Sequence, residues 1–108
     1  MKYGNHKTEY DGIVFDSKAE CDRYKVLKAL EIQGIIKGLE MQKTYKLVKG
    51  RWSNGKPFSA SYKADFVYSL DGEIIVEDVK GYKTETYLLK KKLMKVLYGI
   101  EIVEVRAK

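Results

Sequence analysis

Asp71-Gly72 separates two runs rich in β-branched and aromatic residues, one from Tyr62 to Leu70 and one from Glu73 to Lys80. An Asp-Gly pair in this setting is the strongest short-range hairpin signal, because its turn needs positive φ at both central residues. With Asp71 and Gly72 as the loop, Leu70 pairs with Glu73, and counting outward sets Asp65 opposite Asp78. Opposed residues share a face, with Cβ atoms about 4.5–5.5 Å apart. Lys80, two residues past Asp78, shares that face. Two opposed carboxylates repel, an arrangement that makes sense with a divalent cation between them and the lysine beside it. The plainer alternative is a solvated hairpin face. However, Ile74 and Val76 lie on that face and Ile75 and Val79 on the other, the pattern of a strand buried on both sides. Carboxylates there are costly unless paired or ligated. Glu77 alternates to the opposite face, away from the pair.

A chain of 108 residues with 44% hydrophobic content is expected to form one domain, residues 1–108, around a modest core. The formal charge of +6 suits an anionic partner such as nucleic acid, and serves solubility equally well. A single cysteine, Cys21, excludes a disulfide framework and a zinc cluster. The opening residues lack the apolar run of a signal peptide, and no stretch reaches transmembrane length, so the expected location is the cytoplasm, with no membrane partner. His6, the only histidine, lies in a polar, basic stretch (residues 1–9) that reads as a solvated tail or an arm over a nucleic-acid backbone.

Along the chain, Asp11-Gly12 marks a short ribbon over residues 10–15. Asp16-Ser17 opens a helix to about Gln33, stopped by Gly34. Ser17 and Glu20 have capping-box spacing. Glu20 also begins the stripe Glu20, Tyr24, Leu27 and Leu30, which points it toward the protein. An extended segment follows from Ile35 to Val48, with a break. In it Gln42 is either a surface residue or a contact to metal-bound water or substrate. Residues 49–58 hold Arg51, Trp52, Lys56 and the only proline and read as a loop, either pinned by a packed tryptophan or gripping a backbone and stacking on a base. Thr84 is the N-cap candidate of a second helix reaching about Tyr98, closed by Gly99. Leu89, Leu93 and Val96 or Leu97 form its expected apolar face, and Lys90, Lys91, Lys92 and Lys95 a basic one. Ile100 to Val105 is a last strand.

Asp65 followed by Asp78-Val79-Lys80 resembles the motif of the PD-(D/E)XK nuclease superfamily, an Asp on one strand and acidic-any-Lys on the next. Ala64 stands where the name has proline. Glu20 on a preceding helix, and a helix and strand after Lys80, extend the resemblance over nearly the whole chain. It is similar to small phage and prophage endonuclease-like proteins related in kind to Holliday-junction resolvases. The resemblance implies an α/β fold with a restriction-endonuclease-like αβββαβ core, a mixed central sheet flanked by helices. It further implies Glu20, Asp65, Asp78 and Lys80 as catalytic residues, and Asp65, Asp78, the Val79 carbonyl and Glu20 as ligands of Mg²⁺ or Mn²⁺.

Phosphodiester hydrolysis needs an activated water, an oriented phosphate and help for the leaving oxygen. Hard carboxylate oxygens suit Mg²⁺, and Lys80 suits stabilisation of developing negative charge. The expected function is metal-dependent cleavage of DNA, structure-selective or weakly specific, in a phage or mobile-element setting. Lys83, Lys90, Lys91 and Lys95 are the expected backbone contacts. A homodimer, whose paired sites would address both strands, is compatible with this. The alternative is a nucleic-acid-binding protein that keeps such a fold without the chemistry.

Overall fold

Both Asp-Gly turns form, with positive φ at Asp11, Gly12, Asp71 and Gly72. The computed structural model describes residues 7–107. His6 and most of the expected N-terminal arm lie outside them. The first turn joins β1 (Thr8–Tyr10) to β2 (Ile13–Phe15). Helix α1 (Lys18–Ile32) starts at Ser17, whose hydroxyl accepts the Glu20 amide, and ends before Gly34 at φ 80°. Then come β3 (Lys37–Arg51), β4 (Pro57–Leu70), β5 (Glu73–Lys80), α2 (Glu85–Tyr98) and β6 (Val103–Arg106). Thr84 caps α2 by accepting the Tyr87 amide, and Gly99 closes it at φ 70°. These ends follow local rules: a side-chain oxygen meets an orphan amide, and glycine takes the left-handed stop.

The sheet order is β3-β4-β5-β6, antiparallel except for the parallel β5–β6 pair made through α2. It is a mixed α/β fold with helices on both faces of the sheet. On one face Phe66 and Tyr68 pack with Phe15, Tyr24, Leu27 and Ile36, the α1 side. On the other, Ala64, Val67 and Val76 pack with Met94 and Ile102, the α2 side. Among the described residues no helix is long and apolar enough to cross a membrane.

The structure corrects three expectations. Half of residues 49–58 are strand, because β3 and β4 continue as a ladder out to Arg51 and Pro57, leaving only the turn at residues 52–56 between them. The Trp52 amide donates to the Lys56 carbonyl at 2.8 Å across that turn. On α2, Leu89, Val96 and Leu97 are exposed, while Tyr87 and Met94 are buried and Leu93 packs beside them. Ile74, expected inside with Val76, is exposed near the hairpin turn.

Candidate active site

Asp65 sits where the β3–β4 ladder lapses. Pairing runs Glu40–Val67, Met41–Phe66, then Lys43–Ala64, omitting Gln42 and Asp65. Gln42 has φ 59°, a left-handed conformation that costs a non-glycine residue roughly 1–2 kcal/mol. Both strands change facing at this level. Leu39, Met41, Phe66 and Tyr68 join the α1-side cluster, whereas Tyr45, Leu47, Tyr62 and Ala64 join the α2-side cluster. The reversal takes Asp65 out of regular alternation. Gln42 itself is exposed.

The β4–β5 ladder has the expected register, from Leu70–Glu73 to Phe66–Glu77. Asp65 and Asp78 come next, and there a side chain replaces the backbone: Asp65 Oδ2 accepts the Val79 amide at 2.8 Å. In an extended strand the N–H and C=O of one residue leave on the same edge, so the Val79 carbonyl also opens toward Asp65. Lys80 turns the other way, its carbonyl accepting the Ala107 amide at 3.1 Å.

Asp78 is 4% exposed. The Tyr62 hydroxyl donates to its Oδ2 at 2.6 Å, and Lys80 Nζ lies 3.3 Å from its Oδ1. Lys80 Nζ also stands 4.1 Å from the centre of the Tyr87 ring, a cation–π contact. Burial, then the Asp78 charge and a hydrogen bond between the two carboxyls, with Glu20 adding to them, push Asp65 up to about 8, opposed by the Val79 amide. Glu20 is raised by burial first, then by Asp16 and Asp78, while the Ser17 hydrogen bond and Lys80 oppose the shift. Glu20 on α1 thus feels both Asp78 and Lys80. Among the described residues, no three or more His, Cys, Asp or Glu side chains converge as a metal-holding group. The acidic centre is the Asp65–Asp78 pair, with Glu20 beside it rather than completing a cage. Two carboxylates and a main-chain carbonyl are hard oxygen donors, a set that fits Mg²⁺, which needs one or two carboxylates and retains water.

Two of the residues holding this centre carried no sequence signal. Tyr62 lies 16 positions from Asp78, and only the ladder brings it there. Tyr87, the α2 residue whose ring lies under Lys80 Nζ, donates its hydroxyl to Glu104 at 2.7 Å. On the sheet's other face Glu77, 1% exposed, is held by Arg23 Nε at 2.9 Å and Nη2 at 2.7 Å and by the Tyr68 hydroxyl. That network satisfies Glu77 structurally, away from the pair.

Two of the four lysines of the expected basic face of α2, Lys91 and Lys95, engage carboxylates of the same chain, as does Lys83 ahead of the helix, while Lys92 is exposed. Lys83 and Lys91 bond Glu104 at 2.8 and 2.9 Å, and Lys95 bonds Glu101 at 2.8 Å. Lys90 is half-buried.

The sheet flanked by two helices resembles a PD-(D/E)XK-like fold. Comparison with curated proteins gives no match. The model of the family described as "Protein of unknown function (DUF1064)" matches residues 1–106, and the chain belongs to that family.

Proposed function

We infer that this chain is a metal-dependent nuclease that hydrolyses DNA phosphodiester bonds. The observation that carries the reading is the carboxylate pair Asp65–Asp78 at a lapse in the ladder, with Lys80 Nζ 3.3 Å from Asp78. Mg²⁺ or Mn²⁺, held by Asp65, Asp78 and the Val79 carbonyl, would lower the pKa of a bound water and screen the phosphate. The Tyr62 hydroxyl fixes the Asp78 carboxylate, and the Val79 amide fixes that of Asp65, so both are preorganised. A carboxylate and the face of the Tyr87 ring surround the Lys80 ammonium. This placement beside the Asp78 end of the site suits Lys80 to stabilise negative charge developing on the phosphate. Glu20 faces the centre from α1 and orients water there.

The finer proposal is a weakly specific or structure-selective endonuclease of the Holliday-junction-resolvase-like kind, working in a phage or mobile-element setting. The test is a panel of plasmid, single-stranded, flap and four-way-junction DNA with Mg²⁺, Mn²⁺ and Ca²⁺. Cleavage of any member with Mg²⁺ or Mn²⁺ supports the reading. A second reading, a nucleic-acid-binding protein without catalysis, rests on the formal charge of +6, which suits a nucleic-acid partner without requiring chemistry. Tight binding with no cleavage across the panel would select it.

A further inference from the structure

Beyond the site, β3 and β4 run on as a two-stranded ribbon ending in the turn at residues 52–56. Residues 43–63 hold six Lys or Arg and no Asp or Glu, and the remaining fifteen cations and fifteen carboxylates cancel, so this ribbon carries the chain's entire formal charge of +6. The register sorts its residues by face. Lys46 opposes Ser61, Thr44 opposes Lys63, and, past a bulge at Leu47, Lys49 opposes Ser59 and Arg51 opposes Pro57. Opposed residues share a face, so Lys63, Lys46, Lys49 and Arg51 form one exposed stripe with the hydroxyls of Thr44, Ser59 and Ser61. None of these four cations has an ion-pair partner among the described residues. The other face is apolar at its tip, where Phe58 lies over Gly50 and meets Trp52 with ring centres 4.8 Å apart. Trp52 is 60% exposed.

We propose that this ribbon is the DNA-binding arm of the protein, laid into the major groove of a B-form duplex with its cationic stripe on the phosphates and Trp52 leading. This rests on the reading of the chain as acting on DNA and names the surface that holds the substrate. Lysine also guards strand edges against pairing, but that role asks for charge at an edge and not for a stripe along one face of both strands. A two-stranded ribbon matches the width of the B-DNA major groove. The deep, narrow major groove of A-form RNA does not admit it. A lone exposed indole is not the run of aromatic platforms on which single strands stack. From Asp65 to Pro57 the strand rise spans roughly 25 Å, so the arm contacts duplex well to one side of the carboxylate pair.

The test measures binding of a 20-base-pair duplex without divalent metal over a range of salt, for the full chain, Lys49→Gln/Arg51→Gln and Lys90→Gln/Lys92→Gln. These side chains are outside the buried core, and circular dichroism checks that the variants fold. The ribbon pair should bind on the order of tenfold more weakly, with a log–log salt slope shallower by about 2, one unit per lost phosphate contact. The helix pair should bind like the parent. Trp52 is the only tryptophan, so its emission should change as duplex saturates the protein. Loss confined to the helix pair, or unchanged Trp52 emission on saturation, would overturn the arm. Equal affinity for duplex RNA or single-stranded DNA would overturn the groove assignment. Ribbon-dependent binding without cleavage under any metal would sustain the arm and remove the nuclease reading. Cleavage that depends on Asp78 but not on the ribbon pair would do the reverse.

Discussion

Asp65 accepts the Val79 amide at 2.8 Å, where the next rung of the β4–β5 ladder would otherwise form. One side chain therefore both ends the pairing and ties β4 to the strand that carries Asp78 and Lys80. The lapse opposite Gln42 frees Asp65 for this contact. The site is thus built from an interruption of regular structure, with its cost carried by the clusters on the two faces of the sheet.

Desolvation of the half-buried Asp65, reinforced by the Asp78 charge, should make the metal-free protein less stable as pH rises. Asp65 is pushed up to about 8 in the folded chain, against about 3.9 unfolded. Between these values the unfolded chain gives up its proton first, so stability falls from about pH 4 to pH 8. Asp78→Asn removes the opposing charge. Its metal-free melting temperature should exceed the parent's at pH 8 by several degrees, on the order of 1 kcal/mol, and the difference should shrink toward pH 4. Melts of both proteins across this range check it.

Mg²⁺ should raise the parent's melting temperature and leave Asp78→Asn nearly unmoved. An ion that binds only the folded state adds about 2.7 kcal/mol at a hundredfold excess over its dissociation constant. Melts at matched ionic strength, with and without Mg²⁺, separate ligation from a solvated pair, for which neither protein would respond.

Lys80→Ala should lower kcat on the order of 100-fold with little change in duplex affinity, because a charge aimed at the developing oxyanion acts mainly in the transition state. Single-turnover rates and binding isotherms on one substrate make the comparison. Matched losses in both would instead make Lys80 a backbone grip.

Arg23→Met should destabilise the fold by roughly 3 kcal/mol, since it leaves the buried Glu77 carboxyl without its bidentate partner. Denaturant melts measure it. The loss should be independent of Mg²⁺, because Glu77 lies on the face away from the carboxylate pair.

What the sequence made legible was local. Asp71-Gly72 fixed the register that opposes Asp65 to Asp78, and Ser17, Gly34, Thr84 and Gly99 marked the helix ends, because turns and caps depend on a few adjacent residues. The distal ribbon was hidden by its composition. Gly50, Asn54, Gly55 and Pro57 imitate a long loop, yet Gly50 is there because a Cβ would lie 2.7 Å from the Phe58 ring that crosses it. The inner face of α2 was not legible because its leucines suggest a stripe, whereas the helix turns Tyr87 and Met94 inward, with Lys91 reaching Glu104. Tyr62 was not legible as a partner of Asp78 because regular alternation from Asp65 sets it on the opposite face, and the reversal of facing beside Gln42 turns it back.

The most direct measurement is cleavage of duplex and branched DNA by the parent and by Asp78→Asn, with Mg²⁺ and with chelator, beside duplex binding by both. The parent should cut only with metal, and the variant should lose cutting by at least 100-fold while binding DNA with similar affinity. Cutting that persists in chelator and survives the substitution would contradict the metal-dependent mechanism. A parent that binds duplex tightly and cuts nothing with Mg²⁺ or Mn²⁺ would contradict the nuclease reading itself.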